Sequence, residues 1–222
     1  MGKHSRFTVV GLVTLAALAC SSGSDNNKPP VISAFEGVLG GNDGAEAGTV
    51  SVNVSDDGTG TGSFKVGAVV TTLQNVSTAN GHLTATGNGF AFDGTINGAV
   101  IDGSYTSAAG GGFIAALGKG AGEALAKFCA SFNGTDDLGG AAAGTYAFVY
   151  NTSTNAIRGG WTAGAGNAFH GVVSGFSGND QAVMSGHPGN VTIVPDVPNG
   201  SMGGVYDLDS GAQGTMSGPT CP

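Results

Sequence analysis

Apolar and polar residues alternate one by one in short segments along much of the chain. Residues 50–54 read Val-Ser-Val-Asn-Val, and Tyr and Phe recur at every second position of residues 146–150. This period of two places one set of side chains on one face of a strand. Asn-Gly and Asp-Gly pairs, which suit tight hairpins, punctuate these segments at 43–44, 57–58, 80–81, 93–94, 97–98, 102–103, 133–134 and 199–200. The pattern predicts an all-β chain of short antiparallel strands, with some glycines inside strands because neighbouring pairs lie too close together for all to be turns.

The sequence also contains an internal duplication. Four blocks recur in the same order at offsets of 96 to 101: Phe35-Glu36-Gly37 with Phe132-Asn133-Gly134, Ala47–Val54 with Ala143–Tyr150, Gly62-Ser63-Phe64 with Gly159-Gly160-Trp161, and Gly103-Ser104-Tyr105 with Gly204-Val205-Tyr206. We therefore expect two tandem glycine-rich antiparallel β-meander repeats, at 31–118 and 129–222. Each would form a barrel or sandwich, or both would share one sheet system. Tyr105 should superpose on Tyr206, and Thr49 on Thr145.

Residues 119–128 interrupt the alternation. The segment from Gly120 to Phe128 is rich in residues that favour helices, such as alanine, leucine, glutamate and lysine. It predicts a short helix or loop that links the two repeats.

The first nineteen residues have the features of an export signal. Lys3 and Arg6 precede an apolar run over residues 7–19, which is shorter than the roughly 20 residues of a membrane-spanning helix. The run ends in Leu-Ala-Ala-Leu-Ala directly before Cys20, and this ending resembles the lipobox of bacterial lipoproteins, with Ala17 where that family more often has leucine. The resemblance implies cleavage before Cys20 and acylation of its thiol and new amino group. The alternative is an ordinary signal peptide followed by a coincidental cysteine.

Residues 20–30 fit the same interpretation. They contain no large apolar side chain, so we expect a flexible tether between the lipid and the first repeat. In Gram-negative lipoproteins, a serine such as Ser21 after the lipidated cysteine, rather than aspartate, favours sorting to the outer membrane. The predicted location is therefore the bacterial cell envelope, at the outer membrane if the source is Gram-negative.

Composition narrows the classes of partner. Residues 1–19 carry two of the seven basic residues and none of the fifteen acidic ones, so the processed chain has five Lys and Arg against fifteen Asp and Glu, a net charge of −10. This balance argues against binding to nucleic acid and against electrostatic adhesion to anionic lipid. The 43 glycines show no Gly-X-Y period, which excludes collagen.

Cys129 and Cys221 remain once Cys20 is assigned to lipid. A disulfide, two buried thiols and a metal pair are all possible for them. In an exported chain an even pair favours the disulfide, which would join the two ends of the second repeat.

Candidate catalytic and metal-binding residues are few. The histidines His82, His170 and His187 lie at no metal-ligand spacing from one another, and solvated or hydrogen-bonded strand positions are expected for them. Pairs of acidic residues could catalyse glycoside hydrolysis or bind calcium. Aspartate is also common in turns because of its local hydrogen bonds. The pairs are Asp56-Asp57, Asp136-Asp137, and Asp207 with Asp209, and segments 42–46 and 56–60 partly match calcium-binding loops. We predict no catalytic residue, no metal site and no cofactor.

Aromatic residues could stack on sugars or fill the core. The candidates lie in the blocks that match between the repeats, which favours the core: Tyr105, Tyr146, Tyr150, Trp161 and Tyr206.

The segment 93–113, with its Asp-Gly, Asn-Gly and Gly-Gly-Phe spacing, resembles repeat regions of bacterial surface lipoproteins and is loosely similar to the barrel strands of transferrin-binding-protein-like lipoproteins. Neither resemblance supplies functional residues. The sequence thus predicts a non-catalytic, membrane-anchored binding or structural module, with an envelope protein or glycan as partner. The alternative is a lipid-anchored, glycan-acting hydrolase whose site has no recognisable motif.

Overall fold

The computed structural model describes residues 33–42, 44, 46–163 and 170–222, and these residues form an all-β protein. The first repeat is a nine-stranded antiparallel sheet, here called the first barrel. Its strands are β1 (Ser33–Gly41), β2 (Ala47–Val54), β3 (Gly60–Val66), β4 (Val69–Thr72), β5 (Gln74–Ser77), β6 (His82–Gly87), β7 (Phe90–Asn97), β8 (Val100–Ser107) and β9 (Gly110–Gly118). A 3-10 turn at Ala79–Gly81 precedes β6.

The first sheet curls until its two edges meet. Strand β4 pairs with β3 at one edge and β5 pairs with β6 at the other, yet only Leu73 separates β4 from β5 in the chain. The Leu73 amide donates a 2.9 Å hydrogen bond to the Gly62 carbonyl, and the Leu73 side chain is buried. Residues 69–77 therefore act as one bent strand that bridges the two edges of the sheet.

The second repeat, here called the second barrel, is a closed antiparallel barrel of eight strands. Each strand pairs with the next, and the last pairs with the first. Its strands are β10 (Leu125–Thr135), β11 (Ala141–Asn151), β12 (Ala156–Ala163), β13 (His170–Phe176), β14 (Gly178–Met184), β15 (His187–Asp196), β16 (Ser201–Leu208) and β17 (Gln213–Pro219). The prediction of two antiparallel β-meander repeats that form barrel sheets is confirmed.

Strand register shows that the two barrels are built alike. In the first barrel the cross-strand partners run Gly103, Ile114, Leu39, Gly48 and Val66 from β8 to β3. In the second barrel the corresponding path from β16 to β12 runs Gly204, Met216, Phe132, Gly144 and Ala163. Aligning Gly103 with Gly204 thus aligns Tyr105 with Tyr206 and also Thr49 with Thr145, as the duplication predicts.

The first of the four sequence blocks is misaligned, however. Along the same register path Leu39, and not Phe35, corresponds to Phe132, and Phe35 corresponds to Phe128. All four of these side chains on β1 and β10 are buried. The barrel interior accepts leucine where its copy has phenylalanine, so the identical Phe-x-Gly letters are not the equivalent positions.

The predicted helix between the repeats is absent from the described structure. Residues 119–124 form a turn, in which the Gly120 amide donates to the Glu123 carboxylate at 2.9 Å, and β10 already begins at Leu125, ahead of the expected boundary at residue 129. From there Phe128 points into the barrel and the full length of β10 pairs with β11. Burial of this face and the hydrogen bonds of the sheet outweigh the helix propensity of the alanines and leucine.

Two glycines inside strands make room for tyrosines of the neighbouring strand. Gly112 pairs with Tyr105, and a Cβ atom at Gly112 would lie 2.5 Å from the Tyr105 ring. The equivalent Gly214 pairs with Tyr206, and a Cβ there would lie 2.7 Å from Cζ of that ring. Each barrel therefore uses a glycine to seat a buried tyrosine, which explains part of the high glycine content.

Candidate functional site

Side chains fill the interiors of both barrels. The core of the first barrel includes Phe92 and Tyr105, and that of the second includes Phe128, Tyr146 and Phe148. All five aromatic candidates for sugar stacking are at most 9% exposed, which confirms their assignment to the core: Tyr105, Tyr146, Tyr150, Trp161 and Tyr206. Contacts with other molecules therefore fall to the outer surfaces.

The two barrels pack side by side through strands β1 and β9 of the first and β11 and β12 of the second. At the centre of this interface, here called the seam, Phe113 lies against Gly40 and Gly160. A Cβ atom at either glycine would come within 2.7 Å of the Phe113 ring. The outward side chains of Val38, Ala115 and Ala147 form a small buried cluster there. The seam joins the barrels through close packing of small residues around one aromatic ring.

Three ion pairs flank this apolar contact. Glu36 on β1 binds both Lys119, at 2.6 Å, and Lys127 on β10. Arg158 on β12 donates two hydrogen bonds to the Asp102 carboxylate on β8, and the one from Nε measures 2.7 Å. Partial burial alone would raise the pKa of Glu36, but hydrogen bonds from Lys119 and Lys127, together with their charges, outweigh it and hold that pKa below its usual value. The pairs of Glu36 with Lys127 and of Asp102 with Arg158 join one barrel to the other.

Cys129 and Cys221 form a disulfide, with their Cα atoms 4.8 Å apart. Cys129 points outward from β10 into the seam, and the Cys221 amide donates to the Lys127 carbonyl at 2.9 Å. The bridge therefore ties the C-terminal end of the chain to the first strand of the second barrel and to its contact with the first.

A groove of about 240 Å³ opens at one end of the seam. Glu46 is one of its lining residues, and the Glu46 carboxylate accepts a 2.5 Å hydrogen bond from the Tyr105 hydroxyl in the core of the first barrel. Hydroxyl groups of Ser131, Thr145 and Ser217 lie around it, and Phe113 contributes the apolar wall. This set of groups can accept hydrogen bonds from a small polar or cationic group.

The predicted acid pairs lie apart, in separate turns. Asp57 accepts hydrogen bonds from the Thr59 hydroxyl at 2.6 Å and the Thr59 amide at 2.9 Å, and these bonds lower its pKa. Asp136 accepts from the Gly140 amide at 2.7 Å in the loop before β11. Asp207 and Asp209 are exposed near the β16–β17 turn. The local bonds of Asp57 and Asp136 match the turn interpretation of these residues.

The histidines occupy the first positions of three different strands. His82 opens β6 and lies 3.4 Å from Asp93, His170 opens β13, and His187 opens β15 with its ring edge-on to Trp161. Within residues 33–222, the described part of the chain contains no group of three or more His, Cys, Asp or Glu that could hold a metal ion.

The lipidation residue Cys20, the signal segment 1–19 and the tether 20–30 lie outside the described residues, as does Asp43 of the 42–46 loop. None of the helical structure in the described ranges has the length and apolar character that crossing a membrane requires.

The seam is the main feature that the sequence analysis missed. Its signal is that the intervening positions are apolar too: residues 113–117 of β9 read Phe-Ile-Ala-Ala-Leu, and the alternating aromatic residues of 146–150 in β11 are separated by alanine and valine instead of polar residues. In a strand that is buried on both faces, the residues that point to either face are apolar. Val149, which points out of the second barrel, is fully buried for this reason.

No family model matches the chain, and no curated protein or solved structure is significantly similar to it.

Proposed function

We propose that this protein is a lipid-anchored, non-catalytic component of the bacterial envelope that acts as a binding or structural module. The observation that carries the proposal is the filling of both barrels by side chains such as Phe128, Phe148 and Tyr105. A barrel with a packed interior presents only its outer surface to other molecules. The seam supports this role because it holds the two barrels in one fixed arrangement, as a surface for binding requires.

The anchor rests on the sequence motif that ends at Cys20. Two or three acyl chains on this residue would hold the protein stably at a membrane, and the polar tether would separate the barrels from the lipid. Both barrels, the seam and the disulfide lie within residues 33–222, so a chain of residues 21–222 keeps every described contact and serves as the unlipidated form.

The anchor is tested by labelling cells of the native host with radioactive palmitate. The wild type should be labelled, and Cys20→Ser should lose the label and leave the membrane fraction or remain uncut. The double variant Cys129→Ser/Cys221→Ser is the matched control, because it removes the other two cysteines and should keep the label. Absence of label from the wild type would refute the anchor.

Sorting and binding have separate tests. In a Gram-negative host, Ser21→Asp should move the protein from the outer to the inner membrane fraction. The unlipidated chain should capture a specific partner from envelope extracts, whereas heat-unfolded chain should not. Release of soluble glycan fragments from purified cell wall by the folded chain would instead favour the hydrolase.

A further inference from the structure

The outer face of strands β14 to β16 carries three exposed valines. Val183, Val194 and Val205 are 51%, 55% and 48% exposed. Thr192 on the middle strand pairs directly with Val205, and Val194 is the next outward residue on the same strand. Ala182 pairs with Val191, which places Val183 beside Asn190, on the other side of Thr192 from Val194. These four residues lie on one outward face of the sheet, here called the valine face.

The first barrel shows that the fold does not need valine at these positions. The cross-strand partners Ala85, Phe92 and Tyr105 correspond to Ala182, Val191 and Tyr206 of the second barrel. By this register Val183, Val194 and Val205 correspond to three exposed hydroxyl residues, Thr86, Thr95 and Ser104. Threonine fits a strand as well as valine does, so the apolar surface of the second barrel is a difference in chemistry on the same framework.

The valine face is surrounded by negative charge. Asp180 accepts a hydrogen bond from Thr192 at 3.3 Å, Asp196 is the next outward residue after Val194, and Asp207 is the next after Val205. Residues 159–222 contain no lysine or arginine at all. An anionic lipid surface or a second copy of this face would bring like charges together, whereas a basic apolar segment would pair with both features.

We propose that the valine face docks a basic amphipathic segment of a partner protein. Its apolar side chains would cover Val183, Val194 and Val205, and its lysines or arginines would lie against Asp180, Asp196 and Asp207. The inference rests on the proposed function in assigning a binding role to the protein, and it names the surface and the chemistry of the partner.

The test measures binding of a fluorescent peptide of leucine and lysine, arranged as an amphipathic helix, to the chain of residues 21–222. The triple variant Val183→Thr/Val194→Thr/Val205→Thr gives the second barrel the hydroxyl chemistry of the first and should weaken binding about tenfold or more. The matched control Thr86→Ser/Thr95→Ser/Ser104→Thr alters the equivalent face of the first barrel and should bind as the wild type does. Circular dichroism verifies that both variants fold.

Charge has its own variant. Asp180→Asn/Asp207→Asn should weaken binding and flatten its dependence on salt, and a peptide with glutamate in place of lysine should not bind. Equal affinity of the wild type and the triple valine variant would overturn the proposal. The proposal would also be overturned if the wild type bound to vesicles of zwitterionic lipid and the triple variant did not. The same holds if the wild type formed dimers in sedimentation runs and the triple variant did not. The unlipidated chain is used throughout, so the two tests are independent. A failure of peptide binding would not contradict the Cys20 anchor, and a failure of palmitate labelling would not contradict peptide binding at the valine face.

Discussion

The duplicated tyrosines Tyr105 and Tyr206 give a test in which the same substitution has different effects at equivalent positions. Both side chains are buried, at 1% and 4% exposure, and each ring packs over a strand glycine. Replacing either by phenylalanine removes one hydroxyl group and leaves the ring. What differs is the partner of that hydroxyl group.

In the first barrel the Tyr105 hydroxyl donates to the Glu46 carboxylate at 2.5 Å. A hydrogen bond to a charged group contributes about 1.5–3 kcal/mol. The partly buried setting of Glu46 argues for a value in the middle of this range. We therefore expect Tyr105→Phe to reduce the free energy of unfolding by about 2 kcal/mol.

In the second barrel Ala142 stands two residues before Gly144, where Glu46 stands two residues before Gly48 in the first. The buried Tyr206 hydroxyl has no hydrogen-bond acceptor among the described residues, and burial raises its pKa, so the group stays protonated. A buried polar group without a partner costs about 1–3 kcal/mol. Tyr206→Phe should therefore leave stability unchanged or increase it by about 1 kcal/mol.

Thermal unfolding of the chain of residues 21–222, with its disulfide intact, measures both changes. If the barrels unfold as one unit of this size, Tyr105→Phe should lower Tm by about 4–8 °C, and Tyr206→Phe should not lower it. A double-mutant cycle with Glu46→Gln should reveal coupling to Tyr105 and none to Tyr206. A loss of stability in Tyr206→Phe as large as that in Tyr105→Phe would refute this reasoning.

Two further predictions concern the disulfide and the ion pairs of the seam. Replacing Cys129 and Cys221 by serine should lower the free energy of unfolding by up to about 4–5 kcal/mol, because the disulfide closes a loop between residues 92 apart. Non-reducing peptide mapping of the wild type should recover the two cysteine-containing peptides joined to each other. Recovery of both cysteines as free thiols under oxidising conditions would contradict the disulfide. The ion pairs of Glu36 should stabilise the protein above about pH 4.5, the ordinary pKa of this group, and be lost as pH falls through its lower folded pKa. The difference in urea midpoint between the wild type and Glu36→Gln should therefore be larger near neutral pH than near about pH 3, and an unchanged difference would count against the ion pairs.

The limits of sequence matching are visible in strand β1. The shared Phe-x-Gly letters aligned Phe35 with Phe132, whereas the hydrogen-bond register aligns Leu39 with Phe132. A barrel requires an apolar side chain at an inward position and a consistent register with both neighbours, and it tolerates leucine or phenylalanine there. The letters of one short block cannot specify that register, because loop lengths differ between the copies.

The sequence by itself determined the local features of this protein. Alternation with a period of two specified the strands, Asn97-Gly98 specified a hairpin turn, and the recurring glycines and tyrosines specified two copies of one meander, since these depend on neighbouring residues alone. The tertiary structure decided how the two copies meet. The pairs of Glu36 with Lys127 and of Asp102 with Arg158 join residues 91 and 56 positions apart. They form because the outward faces of the two barrels pack against each other, and packing between faces that are distant in the chain leaves only an indirect signal in the sequence.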